Sequence, residues 1–267
     1  MHTHGVHDHQ YLAGPYPRAF AHRGWHVGDL TGMENSLSAF RRAVDEGYQY
    51  LETDVHATAD GVVVVHHDDA LDRTTDAHGI VARLSWKTVS HAKIGGREPV
   101  SRLEDLLEEL PDALLNIDVK ADSAVEPVVE LLRRTGAVDR VCLASFSDSR
   151  LQRLRQRIGP KLITSMGPRS VAALWAAGRF WAPRALRAVR GAMAQVPVTQ
   201  GRLRVVDRRL ITAAHRRGRE VHVWTINDAA QMHQLLDLGV DGLVTDQPEI
   251  LRDVLRARGT WPAAHPV

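Results

Sequence analysis

Two rhythms of apolar residues alternate along the chain. Short strand-like runs, such as LLNIDV at 114–119, VCLASF at 141–146 and EVHVWTI at 220–226, are each followed by a longer stretch with apolar residues three and four apart. From residue 114 onward the order is regular: strand 114–119 then helix 124–135, strand 141–146 then helix 148–158, strand 162–166 then a longer helical region 170–193. Strand 195–199 then leads to helix 207–217, strand 220–226 to helix 228–238, and strand 242–245 to helix 248–258. Upstream, RAFAHRG at 18–24 reads as a first strand. Glu34-Asn35-Ser36 opens a helix with Leu37, Phe40 and Val44 on one face and Gly47 as its stop. With a strand at 50–55 the count is eight, each followed by helical material. That pattern belongs to the α/β class and predicts a closed (β/α)8 TIM barrel. An open doubly wound sheet usually carries a glycine-rich phosphate turn after its first strand, and HRGWHVGDLTG does not match G-x-G-x-x-G.

The second strand carries more than its share. Alternate strand residues face one side, so Glu52 and Asp54 point the same way, as oxygen ligands for a hard cation should. The turn Ala59-Asp60-Gly61 and the run Val62 to Val65 predict a hairpin, which returns His67 toward those acids. Residues 69–100 show weak periodicity and read as an insertion before a helix at 101–110, capped by Ser101 with Glu104 at capping-box spacing. The expected organisation is a flexible tail at 1–17, a barrel at 18–258 with its insertion at about 69–100, and a short tail at 259–267.

Composition narrows the class. At 267 residues the chain suits one α/β barrel, and a net charge of +2 argues against a nucleic-acid partner. A single cysteine, Cys142, excludes an internal disulfide and a cysteine-based metal cluster; between Val141 and Leu143 it reads as a core residue. No apolar run approaches the roughly 20 residues of a membrane span, and MHTHGVHDHQYLAGPYP lacks the pattern of a secretory signal, so a cytoplasmic location is expected. His2, His4, His7 and His9 offer nitrogen ligands, but nothing nearby sets their geometry. Region 170–193, with Trp175, Phe180, Trp181 and four arginines, either touches lipid headgroups weakly or covers the barrel side with its arginines in water; packing is preferred. Oligomeric state is left open.

In a barrel of this kind the active site lies at the C-terminal ends of the strands. Polar residues fall there repeatedly: His22-Arg23, Glu52 and Asp54, His67-Asp68, Ser145-Phe146-Ser147, Thr199-Gln200, Trp224 with Asn227, and Thr245-Asp246. Asn116, Asp118 and Lys120 alternate along one strand face, and charged residues are seldom buried unless paired or ligating. Acids beside histidines at strand ends suggest metal-assisted acid–base chemistry.

At these positions the chain resembles the glycerophosphodiester phosphodiesterase family. The matching pieces, in order, are His22-Arg23-Gly24, Glu34-Asn35-Ser36, Glu52-Thr53-Asp54-Val55, and Val65-His66-His67-Asp68 running into Leu71-Asp72-Arg73-Thr74-Thr75. Asn116-Ile117-Asp118-Val119-Lys120, Ala144-Ser145-Phe146-Ser147, Val223-Trp224-Thr225-Ile226-Asn227 and Thr245-Asp246-Gln247-Pro248 follow. The resemblance spans about residues 18–256. It implies a TIM barrel that hydrolyses glycerophosphodiesters to an alcohol and glycerol 3-phosphate with one divalent cation, Mg²⁺ or Ca²⁺. Carried over, Glu52 and Asp54 would ligate the metal together with Asp118, and Glu34 would lie at or beside it. His22 and His67 would be general acid and base, Arg23 and Lys120 would hold phosphate oxygens, and Trp224 would wall the glycerol. By the same resemblance the glycerol 2-hydroxyl attacks first and a cyclic phosphate is then opened by water. The family's third strand usually reads Asn-x-Glu-x-Lys; Asp118 is one methylene shorter, so either its contact is less direct or the metal lies closer to that strand. A lysophospholipase D-like activity on lysophospholipids and a non-catalytic phosphodiester-binding barrel are the alternatives.

Overall fold

Eight parallel strands form the sheet of the computed structural model, which describes residues 9–180 and 185–262. In chain order these are β1 (Arg18–His22), β2 (Tyr50–Ala57), β3 (Leu114–Val119), β4 (Val141–Ala144), β5 (Ile163–Thr164), β6 (Met193–Pro197), β7 (Glu220–Trp224) and β8 (Gly242–Thr245). Pairing runs β5-β4-β3-β2-β1-β8-β7-β6. The remaining seam is bridged where Ala192 N–H donates to Thr164 O and Met166 N–H to Met193 O, both at 2.8 Å. The barrel predicted from the alternating pattern is the one observed.

A helix follows each strand: α1 (Leu37–Asp45), α2 (Leu103–Glu109), α3 (Val125–Thr135), α4 (Asp148–Ile158), α5 (Pro168–Arg179), α6 (Arg208–His215), α7 (Ala229–Leu238) and α8 (Pro248–Ala257). Several begin on a side-chain oxygen that takes an otherwise unpaired N–H: Ser36 for α1, Ser147 for α4, Asp207 for α6 and Asp228 for α7. Their apolar faces pack on the outside of the strands, with Leu106, Val128 and Leu154 in one half and Leu210, Met232 and Leu251 in the other. Among the described residues no helix is long and apolar enough to cross a membrane.

Inside the barrel the lower lumen is filled by Phe20, Tyr50, Leu114, Cys142, Met193 and Val244. Tyr11 closes it from below, fully buried, its ring edge-on to Tyr50 at 5.3 Å. This corrects the expected 1–17 tail: residues 9–17 are seated, with a short helix Gln10–Ala13 whose Leu12 carbonyl accepts from Arg18. One buried aromatic in a polar stretch is too short a signal for periodicity to register. The C-terminal boundary moves likewise, because Trp261 packs edge-on against Tyr48 at 4.9 Å. His2, His4 and His7 lie outside the described residues.

Two element boundaries also differ. The helix expected at 101–110 starts later, because Ser101 O is spent accepting from Val65 N–H (2.9 Å). Asp105, not Glu104, then accepts from the Arg102 N–H at 3.1 Å. Within the expected helical region 170–193 the α-helix ends at Arg179, a short 3-10 helix stands at Ala185–Ala188, and Met193 already begins β6 because its carbonyl closes the barrel. Leu174 is fully buried on α5, while Trp181 and Arg184 lie outside the described residues.

Candidate active site

The predicted hairpin forms. Val63–Val65 runs antiparallel to β2, with Val55 opposite Val65, so the chain returns His66 and His67 beside the acids of β2. β3 lies on the other side of β2 in the register Glu52 opposite Asn116 and Asp54 opposite Asp118. Alternation therefore places Glu52, Asp54, Asn116 and Asp118 on one inner face. All four line one cavity with His22, Arg23, His67, Lys120 and Trp224. Glu34 is not on its wall; its carboxylate accepts from Arg23 (2.9 Å) and from Arg73 (2.8 and 3.0 Å).

Charges in this cavity are closely interlocked. Lys120 Nζ stands 2.7 Å from Asp54 Oδ1 and 2.8 Å from Asp118 Oδ2. The second oxygen of Asp54 accepts from Asn35 Nδ2 (3.2 Å) and lies 3.2 Å from Arg23 Nε, which is not aligned for a hydrogen bond. Burial alone would raise the Asp54 pKa; the Lys120 and Arg23 cations outweigh it and hold the carboxyl below its usual range. Glu52 differs. Burial and the neighbouring Asp54 charge push its pKa up, because His22 and Lys120 compensate it only in part. Glu34 is lowered to about 2: burial works against this, but Arg73 and Arg23 prevail.

Each histidine has a carboxylate on one ring nitrogen. His22 Nδ1 is 2.5 Å from Asp246 Oδ1, while its Nε2 faces Glu52 Oε2 at 3.6 Å. Burial disfavours the imidazolium, yet Glu52 and Asp246 together raise the His22 pKa. Asp246 is itself held by Asn227 Nδ2 (3.1 Å). His67 Nδ1 is 2.6 Å from Asp68 Oδ1, and Arg73 clamps Asp68 at 2.5 Å. His66, by contrast, turns its ring to Ala70 O (2.9 Å) and is buried. Asp68, Arg73, Asn227 and Asp246 thus orient the site without having been assigned roles from sequence. The available signals were an acid directly after His67 and another closing the eighth strand.

The metal expectation can be tested on the donors. Two carboxylate oxygens, Glu52 Oε2 and Asp118 Oδ1, are buried without a hydrogen-bond partner. Unpaired buried carboxylate oxygens are costly, and hard oxygen donors suit Mg²⁺ or Ca²⁺. As the side chains stand, no three acids or histidines among the described residues enclose an ion, since Lys120 occupies the space between Asp54 and Asp118. The donor chemistry fits a cation that would compete with this ammonium.

Fold and site together define a (β/α)8-barrel enzyme for an anionic ester, with two carboxylate-oriented histidines facing an arginine and a lysine across one cavity. A family model, the glycerophosphoryl diester phosphodiesterase family, matches residues 22–250. A probable glycerophosphodiester phosphodiesterase 2 of Mycobacterium tuberculosis is 40% identical over 250 residues, 92% of this chain and 93% of that one. Among solved structures, a putative glycerophosphoryl diester phosphodiesterase from Silicibacter pomeroyi superposes with a TM-score of 0.78 at 25% identity, covering 95% of this chain and 100% of the other. A phosphodiesterase of Oleispira antarctica, in complex with the product sn-glycerol-3-phosphate, shares the fold with a TM-score of 0.76 at 22% identity over 92% and 99% of the two chains. The chain belongs to the glycerophosphoryl diester phosphodiesterase family, and it is an enzyme of that class, a phosphoric diester hydrolase.

Proposed function

We propose that this enzyme hydrolyses glycerophosphodiesters to an alcohol and glycerol 3-phosphate by histidine acid–base catalysis, assisted by one divalent cation, Mg²⁺ or Ca²⁺. The observation that carries the reading is the convergence of His22 and His67 on a cavity that also holds Arg23, Lys120 and two unpartnered carboxylate oxygens. Glu52, Asp54 and Asp118 would hold the cation, with Glu34 beside them anchoring Arg23. A cation held there would supply positive charge to offset that of the phosphodiester.

Arg23 and Lys120 bind and orient the phosphodiester, offsetting the charge that builds on its oxygens. Trp224 offers an apolar wall to the glycerol carbons. His67, tied by Nδ1 to Asp68, leaves Nε2 as the base that takes the proton of the glycerol 2-hydroxyl. His22, favoured as the imidazolium by Glu52 and Asp246, gives a proton to the departing alcohol oxygen. The roles reverse when water opens the resulting cyclic phosphate.

The test is hydrolysis of glycerophosphocholine with and without EDTA, in the native enzyme and in His67→Ala. Turnover should stop with EDTA and return with Mg²⁺ or Ca²⁺. His67→Ala should lose roughly 10²–10⁴-fold in rate. Full turnover by His67→Ala would remove His67 from the mechanism, and EDTA-insensitive turnover would remove the cation.

A further inference from the structure

Three histidines belong to the β2 hairpin and the loop that leaves it, His56, His66 and His67, and of these only His67 lines the cavity. The mechanism gives His56 no part. It stands on β2 two positions beyond Asp54 and opposite Val64 of the hairpin, and it is 2% exposed. By alternation it continues the strand face of Glu52 and Asp54. An apolar side chain could fill that place without burying a polar group, whereas an imidazole there needs a partner. The partner is the backbone carbonyl of His67, 3.1 Å from His56 Nε2. A carbonyl only accepts, so Nε2 carries the ring proton and donates it. The other ring nitrogen, Nδ1, lies 3.9 Å from Asp69 Oδ1.

That bond gains weight from how little else holds His67. Among the described residues its main chain makes no other hydrogen bond. The last backbone tie between the hairpin and β2 is one residue earlier, His66 N–H to Asp54 O at 2.9 Å. Asp68, on the His67 ring, is the next residue of the same loop. It turns the ring within the loop but does not set where the loop lies over β2. Arg73 ties Asp68 onward to Glu34, through a side chain that is 49% exposed. His56 is the buried tie, and it comes from the strand that carries Glu52 and Asp54.

We propose that His56 is a positioning residue for the reaction: by donating from Nε2 to the His67 carbonyl, it fixes the distance of the His67 ring from Glu52, Asp54 and the phosphodiester beside them. The proposal rests on the phosphodiesterase reading above, in which His67 is the base. His56 is not on the cavity wall and touches no substrate, so it acts only through His67. One rigid strand then sets both halves of the site. Its inner face presents two carboxylates to the site and, at the next alternate position, the imidazole that places the base. Such spacing matters because a shift of about 1 Å in a reacting group can cost about 100-fold in rate.

Methionine and glutamine are matched in length, and only glutamine can donate, so His56→Met and His56→Gln separate the hydrogen bond from the space the ring fills. With glycerophosphocholine, His56→Met should lower kcat about 10- to 100-fold and change KM less than about twofold, because Arg23 and Lys120 are untouched. His56→Gln should recover kcat to within about threefold of the native enzyme. In a His67→Ala background His56→Met should cost nothing further, since a group that acts through His67 has nothing left to place. Val64→Ala, which removes buried volume directly opposite His56, should lower Tm and leave kcat in place. If His56→Met does not fold, His56→Leu takes its place. Native kcat in the variant without a donor, equal losses in it and in His56→Gln, an equal loss in Val64→Ala, or a full further loss in the His67→Ala background overturns the proposal and leaves the phosphodiesterase reading standing. Full turnover by His67→Ala overturns both. If no diester is hydrolysed, that reading falls and the placement is read from 1H–13C spectra of ring-labelled histidine, with the His67 signal identified by its absence in His67→Ala. A signal shifted or broadened in His56→Met and restored in His56→Gln supports the placement, and one unchanged in both overturns it.

Discussion

Lys120→Met tests how the acidic cluster is neutralised. In the native protein the Lys120 ammonium bridges Asp54 and Asp118. Once it is gone, Asp54 keeps Asn35 and the nearby Arg23, but Asp118, 8% exposed, keeps no hydrogen-bond partner at all. Breaking a buried pair by deleting one member costs about 3–5 kcal/mol. The partial cover left on Asp54 puts this case at the lower end, about 3 kcal/mol, or roughly 6–12 °C in Tm for a domain of this size. A divalent cation should reverse much of that loss, since a ligand at 100 times its Kd stabilises by about 2.7 kcal/mol. The variant should therefore gain more Tm from Mg²⁺ or Ca²⁺ than the native enzyme does, while hydrolysis falls because the proposed phosphate contact is lost. The pH dependence has a definite sign. Glu52 is raised in the metal-free fold, so that fold loses stability as pH climbs through the Glu52 pKa, and stabilisation by the cation grows over the same range. The assay is thermal unfolding with EDTA against graded Mg²⁺ and Ca²⁺ at several pH values. Melting temperatures that ignore both cations, in both proteins, would refute the placement of the cation on these carboxylates.

Further tests bear on other parts of the molecule. Asp246→Asn removes the anion at His22 Nδ1; the loss of a charge-assisted hydrogen bond should cost about 10- to 100-fold in kcat/KM. Because Asp246 raises the His22 pKa, the alkaline limb of the pH–rate profile should move to lower pH, and an unmoved limb would detach Asp246 from His22. On the barrel floor, burial opposes ionisation of Glu220, but hydrogen bonds from Arg18 and His222 bring its pKa down from 4.5 to about 2. Its stabilisation is present above pH 4.5 and lost as pH falls from 4.5 toward 2, an effect of about 3 kcal/mol. Urea unfolding of Glu220→Gln should therefore be flatter across that window than the native protein's, with the two curves parallel if the reasoning is wrong.

The sequence exposed the barrel because each strand and helix announces itself locally. Period-two alternation in Asn116-x-Asp118-x-Lys120 and Glu52-x-Asp54 was enough to place those side chains on one inner face. It could not say which acid Lys120 would meet, because that depends on the register between β2 and β3, which sets Asp54 opposite Asp118. Glu34 shows the same limit: its position in a motif was legible, but its engagement by Arg23 and Arg73 depends on contacts across 11 and 39 residues of chain. The apolar part of the cavity wall, with Trp175 and Leu203, was hidden for a related reason. The two sit on separate segments, and only the closure of β5 on β6 brings those segments to one wall. The start of β6 was misplaced by two residues because Met193-Ala194 continues the apolar pattern of the preceding region, and a hydrogen bond from Met166 decides where the strand begins.

Both ends of the barrel contain buried acids beside arginine or histidine, and residue type alone does not say which end is chemical. Satisfaction does. On the floor, Glu220 accepts from Arg18 at 2.6 and 2.7 Å and pairs with His222 at 2.8 Å, and Asp241 takes Tyr16, His215 and the Val221 N–H. Every oxygen of those two carboxylates has a partner, and the unpartnered groups there are the Tyr11 phenol and one ring nitrogen each of His9 and His222. At the mouth the unpartnered atoms are carboxylate oxygens of Glu52 and Asp118 and the Nε of Arg23, which stands 3.2 Å from Asp54 without hydrogen-bond alignment. A neutral phenol left unpaired costs a modest desolvation penalty, whereas a carboxylate oxygen left unpaired among like charges costs several times more. A fold retains that cost where something else meets the charge. The floor is closed by its own partners, whereas the mouth keeps free carboxylate oxygens, which the proposed function would assign to a cation beside the phosphodiester.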